Sequence, residues 1–158
     1  MSPVEKSPVT RPAVGCTCFK LRSLARRVTQ LYDRVLAPSG LKVTQYSLMA
    51  HARRREGATP PTVTELASRL FTDRTTLTRN LRPLVDAGFL KIASGTDERS
   101  KAVIVTAKGE DAFQAARPLW AQAQALMRER VGDAPLAALH ELIDTLLPQL
   151  DEYPDAAD

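Results

Sequence analysis

Two groups of side chains in this sequence are placed to do chemistry. Thr75, Arg79 and Arg82 fall on one side of a predicted helix whose other side is Leu77, Leu81, Leu84 and Val85. Arginine can donate paired bonds to guanine, threonine can bond a base edge or touch a thymine methyl, and both can bind phosphate. That chemistry is recognition of a nucleic-acid duplex; the competing reading is an amphipathic surface helix with solvated charges. The second group is Gly15-Cys16-Thr17-Cys18-Phe19, which holds both of the chain's 2 cysteines at the start of another predicted helix.

Residues i and i+2 point apart on a helix, so a bridge between Cys16 and Cys18 is disfavoured. A thiol at a helix N-terminus is favoured as the anion by free amides and the dipole, and Arg22, one turn after Cys18, adds positive charge. Such a thiolate is open to oxidation to a sulfenic acid and onward to a mixed or intersubunit disulfide. The plain alternative for Cys18 is a small buried helix residue.

The elements that must position the arginines are legible around them. Thr62 caps a first helix with Val63, Leu66, Ala67 and Leu70 at helical spacing. Phe71 and Thr72 make a turn, and Thr72 or Asp73 caps the second helix, which Gly88 ends. Pro83 lies inside that helix, where it removes a hydrogen bond and costs about 3 kcal/mol, so a bend or break is expected there. Phe89–Ile92 and Lys101–Thr106 read as two strands, with Val103 and Val105 alternating against Ile104. Between them SGTDERS makes a tip too polar for a core; Arg99 would reach a minor groove, and Asp97 would orient a guanidinium, that of Arg79 or Arg99.

TDRTTLTRNL, DAGFL, Asp97-x-Arg99-Ser100-Lys101 and VTAKG together resemble the MarR family of winged-helix repressors. The resemblance spans most of the chain. It implies a mostly α fold with a small β-hairpin wing: a winged helix-turn-helix over residues 41–106, and helical dimerisation segments at 16–38 and 107–151. It further implies a homodimer on double-stranded, pseudo-palindromic DNA, with Arg74, Thr75, Thr76 and Arg79 facing the groove, Arg99 at the wing tip, and Asp97 and Lys101 supporting the wing. A winged helix used only for protein contacts is the rival, and its DNA binding would be indifferent to sequence and abolished by modest salt.

Cys18-Phe19 followed by Tyr32 is similar to the organic-hydroperoxide-sensing branch of that family, although Arg22 stands where the branch has a second tyrosine, and Cys16 is extra. The family resemblance also implies a small aromatic or anionic effector between the dimer helices and the DNA-reading part, for which Arg22, Arg26, Tyr32, Tyr46 and His51 are the candidates. Each has a plainer role as a solvated cation, a core aromatic or a packing histidine.

With 158 residues, 44% hydrophobic and 5% aromatic, the chain suits one domain with an aliphatic, mostly helical core. Further helices are expected at 18–36, at 107–131 with Pro118 as a possible bend, and at 134–150 with a stripe of Leu139, Leu142, Ile143, Leu146, Leu147 and Leu150. Residues 1–15 and the acidic tail read as disordered, and 58–61 as a short link. Basic side chains outnumber acidic ones eleven to two in residues 1–55, whereas acidic ones lead nine to three in 111–158. No stretch approaches the roughly 18 apolar residues of a membrane span, and the N-terminus lacks a signal-peptide hydrophobic region, so a cytoplasmic location is expected. Only His51 and His140 occur, no cluster has metal-ligand spacing, and no cofactor or enzymatic activity is expected.

Overall fold

A computed structural model of the chain describes residues 15–53, 58–94 and 100–151. The N-terminal arm, the acidic tail and the wing tip, with Asp97 and Arg99, lie outside these. The described residues form α1 (Thr17–Leu36), α2 (Val43–Ala52), α3 (Val63–Arg69), α4 (Arg74–Asp86), β1 (Leu90–Ser94), β2 (Lys101–Val105), α5 (Ala107–Val131) and α6 (Asp133–Asp151), with one 3-10 turn at Ala37–Ser39. The architecture is a helical protein with one antiparallel hairpin, as the sequence implies.

Short polar side chains start three of these helices, α3, α4 and α5. Thr62 accepts from the Glu65 amide at 3.1 Å while Glu65 accepts from the Thr62 amide at 2.7 Å, a reciprocal box that satisfies two orphan donors. Asp73, rather than Thr72, caps α4 and accepts from the Thr76 amide at 2.8 Å. The start of α2 is held from a different element: the Val43 amide donates to Asp33 of α1 at 2.7 Å. Gly88, at φ 75°, ends α4 in the left-handed region open to glycine.

The prolines do not break their helices. α4 runs through Pro83 and α5 through Pro118 without interruption. In α4 the expected break is overridden by burial of Leu77, Leu81 and Leu84 on the same face as the flanking turns, which holds both sides of the proline in one helix. Val85 is only half-buried.

The strands differ from their expected form. Leu90 pairs with Val105, Ile92 with Val103 and Ser94 with Lys101. On its other edge β2 meets the segment before α3: Thr62 bridges Ala102, and the Val103 amide donates to the Pro61 carbonyl at 2.8 Å. β2 is thus hydrogen-bonded on both sides, and Ala102 and Val103 are both buried instead of alternating. The short link around Pro61 is a strand partner as well as a connection.

Leu36, Met49, Leu66, Leu77, Leu84, Leu90 and Val103 are the largest fully buried side chains, and they come from α1 to α4 and both strands. α5 closes this core through Phe113, Ala116 and Ala123. α6 stands apart from it. Its Leu142 is 56% and Leu150 68% exposed, and Leu21 and Leu24 of α1 are exposed too. Leu21, Leu24 and Leu150, with Tyr32, Met127, Ile143 and Leu146, line an open apolar groove of about 550 Å³ between α1, α5 and α6. No helix among the described residues is long and apolar enough to cross a membrane.

One close approach fixes the junction of hairpin and α5. A Cβ on Gly109 would overlap the Phe89 carbonyl oxygen and the backbone atoms next to it. Gly109→Ala is expected to destabilise the protein by about 1–3 kcal/mol, the usual range for overpacking, read as a lower urea midpoint at unchanged m-value.

Candidate nucleic-acid interface

The candidate interface is built on α4. Its leucines face the core, so the face opposite them must point outward, and there Arg74, Thr75, Thr78, Arg79 and Arg82 share one open surface. Four of these follow the sequence reading, and Thr78 was missed. The signal for it is its spacing, four residues after Arg74 and four before Arg82. Its hydroxyl donates to the Arg74 carbonyl at 2.8 Å.

Thr76, expected to face the groove, lies half-buried at the first turn, and its hydroxyl donates to the Asp73 carboxylate at 2.6 Å. That bond and the Thr76 amide hold the Asp73 carboxyl below the usual carboxylate range. The guanidinium of Arg82 lies 4.0 Å from Asp86, with both side chains largely exposed, so the pair restrains it little.

The wing is tied to the end of α4 by the residues that follow β2. Thr106 donates its hydroxyl to the Gly88 carbonyl at 2.7 Å and its amide to the Phe89 carbonyl at 3.0 Å, and the same hydroxyl accepts from the Gly109 amide at 3.0 Å to cap α5. Lys108 donates to the Ala87 carbonyl at 2.7 Å, which places a cation at the negative end of α4. Lys101 is exposed at the start of β2, opposite Ser94. Among the described residues no group of three or more His, Cys, Asp or Glu side chains gathers as a metal site.

This arrangement has close counterparts. The transcriptional regulator MosR of M. tuberculosis, in a complex with DNA, is 38% identical over 84% of this chain and 99% of its own, with a TM-score of 0.69. A second MosR structure is 40% identical over 86% of this chain and 96% of its own, with a TM-score of 0.71. Residues 39–100 match the model of the MarR family. The chain belongs to the MarR family. A mutant E. coli MarR complexed with operator DNA shares the fold at 22% identity, with a TM-score of 0.72 over 83% of this chain and 93% of its own. No curated protein matches. The MarR family is one of transcription regulators and not of enzymes.

The five expected effector residues of this MarR-family chain are not gathered in one place. Tyr32 is buried and lines the apolar groove, where burial raises its hydroxyl above the ordinary tyrosine value against the pull of Arg128. Tyr46 is instead a core aromatic, stacked on Phe113 at 4.6 Å and beside Trp120 at 5.8 Å. Arg22 and Arg26 are exposed, the latter donating to Ser23 at 3.1 Å. His51 is exposed, and its Nδ1–H donates to the Ser47 carbonyl at 2.7 Å. Cys16 immediately precedes α1 and Cys18 is its second residue; both are exposed.

The cation that does meet the aromatic cluster is Arg53, which the sequence reading passed over. Its guanidinium lies 4.3 Å from the centre of the Phe113 ring and forks onto Glu110 at 2.6 and 2.8 Å. This joins α2 to the first turns of α5. The Arg53 and Gln114 hydrogen bonds hold the Glu110 carboxyl below the usual range. Its contribution to stability is therefore complete above that range and is lost as pH falls through it. With side chains 35% and 40% exposed, the pair contributes less than about 1 kcal/mol. Glu110→Gln is expected to lower the melting temperature modestly at neutral pH and to flatten part of its fall between neutral and acid pH; identical profiles for parent and variant would remove the role given to the bridge.

Proposed function

We propose that this protein is a homodimeric, sequence-specific repressor that lays α4 of each subunit in successive major grooves of a pseudo-palindromic operator. The observation that carries the reading is the outward face of α4, where Arg74, Thr75, Arg79 and Arg82 stand opposite buried leucines on a helix held at both ends. Its spacing and chemistry suit guanine edges, thymine methyls and phosphates. A protein-interaction module would use such a face without discriminating among duplexes.

Support for the dimer comes from the other end of the molecule. Leu21 and Leu24 of α1 and Ile143, Leu146 and Leu150 of α6 expose one apolar surface that a second subunit would cover. Half-sites one turn apart, roughly 34–36 Å, need such a fixed pair. Release is assigned to a change in the angle between subunits. The exposed thiols at the start of α1 support oxidation over an aromatic effector, because the expected effector residues do not converge. In that step the Cys18 thiolate attacks the terminal oxygen of an organic hydroperoxide, the S–O bond forms as the O–O bond breaks, and the alkoxide takes a proton from solvent and leaves as the alcohol.

Fluorescence anisotropy on a duplex enriched by the parent from a random library tests the DNA and sensor parts together. Arg79→Ala is expected to weaken binding by about 1–3 kcal/mol and to relax discrimination at one position. Organic hydroperoxide should release the parent but not Cys18→Ser. Enrichment of no sequence, with binding lost in modest salt, would instead support the protein-contact reading. In sedimentation, Ile143→Glu combined with Leu146→Glu is expected to give a folded monomer that has lost operator affinity; a dimer of parental mass would move the interface elsewhere.

A further inference from the structure

Beside the outward face of α4 lies a second surface, which shares only Arg79 with it. Lys42, Thr44 and Gln45 at the start of α2, Phe71 in the turn, and Arg79 and Asn80 of α4 line an open groove of about 870 Å³. Among the described residues lining it, none is acidic. We propose that this groove seats the sugar-phosphate chain of one operator strand, with the Phe71 ring packed on a deoxyribose and Lys42 on an adjoining phosphate, while Arg79 at its edge stays with the bases. The proposal rests on the DNA reading above and extends it to a part of the interface outside α4.

Three observations support this occupant. The first is complementarity: two cations, three hydroxyls and two amides line the groove together with a ring, which suits a chain of alternating anions and apolar sugar faces. The second is Phe71 itself. It sits at φ 49°, in the left-handed region, yet carries a large side chain that is 58% exposed. Glycine would take that backbone with less strain, and burial does not account for the ring. The third is that Arg79 belongs to both surfaces, so the two are continuous along one flank of α4. A helix with its side chains, about 10–12 Å across, fills a major groove about 12 Å wide, so the strands bordering the groove must run along its flanks.

A sugar contact adds affinity without reading sequence, and a lysine on phosphate adds salt dependence. Anisotropy over a salt series, on a duplex enriched from a random library by the parent, separates these effects. Phe71→Gly is expected to melt no lower than the parent and to bind roughly tenfold more weakly to matched and mismatched duplexes alike, whereas Phe71→Tyr, which keeps the ring, stays within about twofold. Lys42→Gln should reduce the slope of log affinity against log salt by about one. If Phe71→Gly binds as tightly as the parent while Arg79→Ala does not, the groove proposal fails alone and the surface belongs to another occupant, such as a small aromatic anion. If the parent enriches no duplex, the DNA reading fails and takes this proposal with it.

Discussion

The Phe89 carbonyl oxygen meets three demands at one point: it accepts the Thr106 amide, lies within 3.2 Å of the Thr106 hydroxyl, and leaves no room for a Cβ on Gly109. That corner joins the end of α4, the first strand, the second strand and the start of α5. Each element beyond it inherits its direction from there. Because Lys108 closes the same corner on the Ala87 carbonyl, the C-terminal end of α4 is held by α5 and not only by its own turn. The orientation of the arginine face relative to the long helix is therefore a property of a few backbone atoms in DAGFL and VTAKG.

What was legible in the sequence is what short range determines. Thr62 and Asp73 announce helix starts because their side chains bond amides within three residues, and α5 was bounded correctly because Thr106 and Gly132 are local stops. The face of α4 was legible because burial of Leu77, Leu81 and Leu84 forces the other side outward. Pairings across long separations were not. The Arg53–Glu110 bridge spans 57 residues, and the contact of Pro61 with Val103 ties a proline link to a strand far along the chain. Tyr46 shows the remaining limit: its spacing on α2 suits a pocket or a core equally, and only the Phe113 ring decides between them. Pro83 shows that a local rule yields when several leucines are buried around it.

Charge and chemistry are divided along the molecule in a way that composition alone hides. The basic excess of residues 1–55 includes Lys42 and Arg53, one lining the groove beside α4 and the other forking onto Glu110. A net count treats them alike. Their surroundings do not, since Arg53 is paired with the Glu110 carboxylate and lies over a ring while Lys42 lines a groove with no acidic lining residue among those described.

On the proposed function, α5 is the element through which the two ends of the molecule would influence each other. It starts at the Phe89 corner, carries Glu110 on Arg53 and Phe113 on Tyr46, and reaches the apolar groove at Gln124 and Met127. At 25 residues it is roughly 37 Å long, so a tilt of about 5° at the groove displaces its far end by roughly 3 Å. Packed helices pass such a tilt on as a rigid movement because their interiors compress little. A shift of that size is comparable to the rise of one base pair, about 3.4 Å, and is enough to take one recognition helix out of register with its groove. The bridge and the stack at the base of α5 set how faithfully the tilt arrives: a loose junction would absorb it, whereas a guanidinium fork and parallel rings resist being turned. On that proposal the aromatic cluster would serve the switch as a coupling between α2 and α5, and binding of an effector by Tyr46 would not be required for it.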